Sequence, residues 1–175
     1  MKKIILITGG QRSGKSMYAE RLALSMTEQP IYFATARIWD EEFKERVKRH
    51  QARRGDNWTN IEEEKYLSHH TIYNKVCVVD CITLWCTNFF FDANQNNPKE
   101  PVIDEALDAI KKEFDQFTAQ DATFIFVTNE IGSGGVSDNV VQRRFTDMEG
   151  WMNQYVASKA DEVVLMVSGI PVKIK

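Results

Sequence analysis

The chain has 175 residues, of which 43% are hydrophobic and 27% charged, and its formal net charge is −3 at pH 7. That balance fits one soluble domain with a sizeable core and supplies no basic field for nucleic acid. No apolar run approaches a membrane span. The apolar stretch Ile4 to Ile7 behind Lys2-Lys3 is too short for a signal peptide, so a cytoplasmic protein is expected.

Ile4-Ile5-Leu6-Ile7 predicts a first buried strand, and Met17 to Leu24 a helix. Between them, Gly9-Gly10-Gln11-Arg12-Ser13-Gly14-Lys15-Ser16 fits the phosphate-loop pattern G-x-x-x-x-G-K-[ST]. Pro30 to Ala34 reads as a second strand and Thr35-Ala36-Arg37 as a turn. A helix is expected from about Asp40 to Arg53, ended by Gly55-Asp56-Asn57. Next come a short strand through Trp58 and Ile61 and a brief helix at Tyr66 to Tyr73. Lys75 to Asp80 is a third buried strand closing on a carboxylate, and Cys81 to Phe91 is apolar enough for a core helix. Asp92 to Pro101 is an exposed loop. Val102 to Thr118 is an amphipathic helix with Ile103, Leu107, Ile110, Phe114 and Phe117 on one stripe. Ala122 to Thr128 is a fourth strand, Gly132-Ser133-Gly134-Gly135 a flexible loop, and Asn139 to Ser158 a long helix. Glu162 to Ser168 and Val172 to Lys175, around Gly169-Ile170-Pro171, read as a terminal hairpin.

Strands alternating with helices, several apolar on both faces, predict an α/β fold in one domain spanning residues 1–175. Its sheet is mostly parallel and covered by helices on both sides. In such a sheet ligands sit beyond the carboxyl ends of the strands, where the phosphate loop, Thr35, Asp80 and Asn129-Glu130 all fall.

Glycines in the loop let successive N–H groups turn toward phosphate oxygens, and the adjoining helix presents its positive end. Lys15 can reach the outer phosphates and the Ser16 hydroxyl can sit on Mg2+. Asp80 suits the acidic partner that holds the magnesium, although a carboxylate at a strand end is also common as a helix cap. Arg46, Arg49, His50 and Arg53 share one helical face, with Arg54 next to it. That face is either solvated and paired with Glu41, Glu42 and Glu45, or a polyphosphate-binding surface in which a neutral His50 acts as nucleophile. His69 and His70 diverge on a helix and read as surface residues. Cys77, Cys81 and Cys86 lack C-x-x-C spacing and read as buried thiols in a reducing compartment. Asp147-Met148-Glu149-Gly150 matches the D-x-x-G of switch GTPases but lies in a helical pattern, and no N-K-x-D motif accompanies it.

Taken together, these residues resemble the bifunctional adenosylcobinamide kinase and adenosylcobinamide-phosphate guanylyltransferase family of cobalamin synthesis. The markers are the phosphate loop, Tyr32-Phe33-Ala34-Thr35-Ala36, the Arg46 to Trp58 segment and Val79-Asp80-Cys81-Ile82-Thr83-Leu84-Trp85. Thr128-Asn129-Glu130-Ile131-Gly132, Asn153-Gln154, Ala160-Asp161 and Gly169-Ile170-Pro171 complete them. The resemblance implies a P-loop NTPase with a RecA-like sheet and a C-terminal antiparallel hairpin, assembled as a homotrimer. It implies phosphorylation of adenosylcobinamide by ATP or GTP, then transfer of GMP from GTP through a guanylylated histidine, matched here by His50. Nucleotide contacts carry over to Gly9, Gly10, Gln11, Arg12, Ser13, Gly14, Lys15 and Ser16, to Ala34, Thr35 and Ala36, and to Gln51, Ala52, Arg53 and Arg54. The acidic positions Glu62 and Asp80 also match. A P-loop small-molecule kinase without the guanylyl step is the competing reading.

Overall fold

The apolar run Ile4 to Ile7 forms β1 (Lys3–Gly9), whose side chains alternate between two covered faces. In the computed structural model, residues 1–38, 41, 45 and 54–175 are described. After β1 come α1 (Lys15–Met26), β2 (Ile31–Ala34), β3 (Thr59–Glu62), β4 (Val76–Asp80), α2 (Ile82–Ala93) and α3 (Asp104–Phe117). The chain continues through β5 (Thr123–Val127), α4 (Val140–Lys159), β6 (Glu162–Val167) and β7 (Ile170–Lys173). Most of the helix expected from about Asp40 to Arg53, His50 included, lies outside the described residues.

The strands form one seven-stranded sheet in the order β3-β2-β4-β5-β1-β6-β7. Every pairing is parallel except β6 with β7. Successive residues of β1 serve opposite cores. Ile4 and Leu6 join the face packed by Trp85, Ile110, Phe114 and Met152 from α2, α3 and α4. Ile5 and Ile7 join the face packed by Ala19 and Ala23 from α1. Helices thus cover both sides, as the double-faced apolar strands require.

Three local expectations are corrected. The brief helix at Tyr66 to Tyr73 is only a 3-10 turn at Leu67–His69. Side chains satisfy its backbone donors instead: the Glu113 carboxylate accepts from Ser68 N at 2.7 Å and the Gln120 amide oxygen from Ile72 N at 2.8 Å. The terminal hairpin turns at Ser168-Gly169, both with positive φ (51° and 85°), which matches the twist of paired strands. Ile170 and Pro171 therefore belong to β7, an edge strand where a missing N–H is tolerated. His70 is half-buried rather than a surface residue, lying edge-on to Phe33 with ring centroids 5.4 Å apart.

Asn88 is one of the side chains that fasten α2 across the carboxyl ends of the sheet. Asn88 is 1% exposed, and its Nδ2 donates to Thr35 O at 2.8 Å and to Glu64 O at 2.9 Å. Asn88→Ala leaves two carbonyls without a donor in a buried place. It is expected to lower stability by about 1–3 kcal/mol, read from the urea midpoint at constant m. An unchanged midpoint would show that the strap carries no load.

Candidate active site

The phosphate loop is built where β1 meets α1, and the backbone requires glycine at two of its positions, Gly9 and Gly14. Gly9 has φ +149°, and a Cβ there would lie 2.6 Å from Met166 O and 2.9 Å from Ser13 Oγ. Gly14, at φ +95°, precedes the first residue of α1, whose N-terminal N–H groups open onto the loop. The loop is braced from behind by the terminal hairpin: Gly169 N donates to Ser13 O at 2.9 Å. Lys15 is 6% exposed and donates through Nζ to Gly10 O at 2.6 Å. Burial pulls its pKa down, while Cys81, Asp80 and Glu149 oppose that shift. The buried Ser13 hydroxyl has no hydrogen-bond partner among the described residues.

Asp80 ends β4, two strands from β1 by way of β5, a lateral separation of about 10 Å. Val127 of β5 is in register with Ile7 on one side and with Asp80 on the other. The Tyr32 hydroxyl donates to Asp80 Oδ2 at 2.7 Å. Burial, and then Asp80, raise the pKa of that hydroxyl, so it stays a donor. Thr35 is wholly buried. Its Oγ1 accepts from Cys81 N and donates to Cys81 O, both at 2.8 Å, which ties the end of β2 to the residue after Asp80.

The remaining residues singled out by sequence separate into groups. Gly10, Gln11 and Arg12 are exposed on the loop, and Ala34 and Ala36 lie half-buried on either side of Thr35. Glu62 ends β3, four strands from β1 and about 19 Å away along the sheet. Within one chain it is therefore not brought to the cradle. Arg54 is engaged in packing. Its guanidinium carbon lies 3.6 Å from the Tyr32 ring centroid, its Nε donates to Asn60 Oδ1 at 2.8 Å, and its Nη1 is 3.7 Å from Glu20 of α1. That side chain is 2% exposed, so in this arrangement it moors the chain beside α1 and backs the tyrosine that holds Asp80. His50, Gln51, Ala52 and Arg53 lie outside the described residues.

Sequence reasoning missed Glu149. It is fully buried on α4 and accepts a hydrogen bond from the Thr83 hydroxyl through Oε1, while Oε2 is buried without a partner among the described residues. Burial pushes its carboxyl up to about 7. Thr83 opposes that shift, the charge of Glu130 adds to it, and Lys15 also opposes it. The stripe of buried Met148, Met152 and Val156 at helical spacing sets Glu149 and Asn153 on its border, and that was the available signal. Thr83 in turn accepts from Asn129 N at 3.0 Å and Nδ2 at 3.2 Å. The D-x-x-G match at Asp147 to Gly150 lies inside α4, as its helical pattern implied. All three cysteines are free and buried. Among the described residues there is no cluster of three metal-ligating side chains, and no helix is long and apolar enough to cross a membrane.

Comparison with known proteins bears on this site. A family model described as cobinamide kinase / cobinamide phosphate guanyltransferase matches residues 5–174. The bifunctional adenosylcobalamin biosynthesis protein CobU of Escherichia coli (strain K12) is 38% identical over 181 residues, covering 98% of this chain and 99% of its own length. The corresponding protein CobP of Pseudomonas aeruginosa is 34% identical over 176 residues, covering 97% of this chain and 96% of its own. Among solved structures, an ATPase from the type III secretion system of pathogenic bacteria is similar with a TM-score of 0.58 at 13% identity. The likeness covers 94% of this chain and 51% of that one, and it establishes the P-loop ATPase fold.

Glu149 gives stability a pH dependence of definite sign. Its folded carboxyl lies near 7 against an ordinary value of 4.5, so the folded state binds the extra proton between those values. Stability from this group is therefore complete below about pH 4.5 and lost as pH rises through about 7. Glu149→Gln keeps an acceptor for Thr83 and is expected to flatten that decline. The check is urea midpoints of both proteins from pH 5 to 8; parallel curves would refute the assignment.

Proposed function

The chain belongs to the cobinamide kinase / cobinamide phosphate guanyltransferase family, and from that premise we propose that it is a two-step transferase acting on adenosylcobinamide. In the first step ATP or GTP gives its γ-phosphate to the hydroxyl of the substrate's aminopropanol arm. In the second, the α-phosphorus of GTP is captured by His50, pyrophosphate leaves, and the guanylyl group passes to adenosylcobinamide phosphate to give adenosylcobinamide-GDP. The observation that carries the reading is the phosphate cradle and Asp80 on one rim of a chain matched by that family over residues 5–174.

In this proposal the Gly9 to Ser16 backbone holds the phosphates, and Lys15 exchanges its contact with Gly10 O for a phosphate oxygen. That exchange replaces a neutral acceptor by a charged one. The oxygen donors present suit magnesium, which takes one or two protein oxygens and completes its shell with phosphates and water. The Ser16 hydroxyl and the Asp80 carboxylate would hold it, the latter oriented by Tyr32. When bound, the ion supplies charge neutralisation on the outer phosphates. The imidazole of His50 supplies the nucleophile for nucleotidyl capture, and a phosphoramidate there stores transfer potential. Gln51, Ala52 and Arg53 are proposed to contact the same nucleotide. Arg54 supports the site through Tyr32. Glu62, distant within one chain, is a contact that assembly of the proposed homotrimer can complete. Buried free thiols agree with a cytoplasmic setting.

Incubation with α-labelled GTP tests the second step. Wild-type protein is expected to carry acid-labile, alkali-stable label, and His50→Ala to carry none; an unlabelled wild type would reduce the enzyme to a small-molecule kinase. Lys15→Ala tests the first step. Phosphorylation of adenosylcobinamide should fall by about 10²-fold or more, and turnover near wild type would overturn the role of the cradle.

A further inference from the structure

Phosphate binding leaves one rim carboxylate without a task. Glu130 lies three residues beyond Val127, past the end of the strand between the one that opens into the phosphate loop and the one that ends at Asp80. Its N–H donates to Gly9 O at 3.0 Å, which fixes its backbone to the first residue of the loop. Its side chain is exposed yet held. Oε1 accepts from Gly132 N at 2.8 Å, from Ser133 N at 3.0 Å and from Ser133 Oγ at 3.3 Å. Oε2 has no hydrogen-bond partner among the described residues.

The preceding residue is pinned from every side. Asn129 donates to Thr83 through both nitrogens, and its carbonyl accepts from Asn153 Nδ2 at 3.3 Å. Asn153 Oδ1 accepts in turn from Thr128 Oγ1 at 2.7 Å. Glu130 is thus an exposed carboxylate on a rigid support, tied through its own N–H to the first residue of the phosphate loop.

A phosphoryl transfer to an alcohol must dispose of one proton. The hydroxyl oxygen forms a bond to the γ-phosphorus and the bond from that phosphorus to the β–γ bridging oxygen breaks. The electron pair leaves with the nucleoside diphosphate. The acceptor's proton needs a base within hydrogen-bond reach. Lys15 is the wrong sign for this, and the Asp80 carboxylate is already engaged by Tyr32 and assigned to the cation.

We propose that Glu130 is the catalytic residue that takes the proton from the acceptor hydroxyl in the phosphoryl-transfer step. The proton moves to Oε2 as the oxygen–phosphorus bond forms and passes to water after the products leave. The Gly132–Gly134 turn has a function in this account: its N–H groups occupy Oε1 and hold the carboxylate so that Oε2 serves the substrate. This inference rests on the proposed kinase step and is independent of His50.

Glu130→Gln isolates it, because glutamine keeps an oxygen for the three donors and removes the base. With adenosylcobinamide and γ-labelled nucleotide, kcat is expected to fall by about 10²-fold or more, with KM for the nucleotide unchanged. Guanylylation by α-labelled GTP, which involves no acceptor hydroxyl, should stay at the wild-type level and certify the fold. A kcat near wild type would overturn the proposal. So would a loss of activity reversed by excess magnesium, which would make Glu130 a group that serves the cation. If the wild type itself failed to phosphorylate adenosylcobinamide, the underlying functional reading would fall instead.

Discussion

The rim depends on β5 being clamped in parallel register between β1 and β4. Backbone ladders on both sides fix Val127 against Ile7 and against Asp80. Because strand spacing is set by hydrogen-bond length, the phosphate loop and Asp80 stand about 10 Å apart whatever the side chains do. The connection leaving each strand can then vary without disturbing that alignment. Thr35 bonded to both polar atoms of the Cys81 backbone, and Asn88 strapped to Thr35 and Glu64, extend the same clamp to β2 and to the start of the chain beyond β3.

Much of this was legible in the sequence, for particular reasons. The runs Ile4 to Ile7, Val76 to Val79 and Phe124 to Val127 are apolar at every position, which suits a strand covered on both faces. The phosphate-loop spacing is dictated by the backbone curl itself. The stripe Leu107, Ile110, Phe114, Phe117 is wholly buried or nearly so. The hidden features depend on partners far along the chain. Ser68 and Ile72 read as parts of a helix, but Glu113 and Gln120 intercept their N–H groups from more than forty residues away. Arg54 read as part of a basic surface, yet Tyr32, Asn60 and Glu20 enclose it. A guanidinium stacks and hydrogen-bonds at once, so its charge alone does not mark it as solvent-facing.

Glu149 belongs to the same class of hidden feature. A carboxyl on the border of an apolar helical stripe looks like an ordinary amphipathic edge. Here it is enclosed with a threonine that already accepts two bonds from Asn129, so the hydroxyl proton of Thr83 has one direction left, toward Glu149. Residues from the first turn of α2, from the connection after β5 and from the middle of α4 are thereby joined in one polar layer beneath the rim. Such layers hold geometry well when each member has a partner, and an orphaned member such as Oε2 of Glu149 marks where the layer is most sensitive to charge.

The Ser168-Gly169 turn has a consequence for how the enzyme comes into being. Its amide is the prop for the Ser13 carbonyl, so the loop made near the start of synthesis waits on a tie from a hairpin made near the end. A nascent chain that has not yet extended past residue 169 carries every residue of the phosphate motif but lacks its backing. The phosphate motif gains this tie only once β6 has paired with β1 and the turn after it has closed.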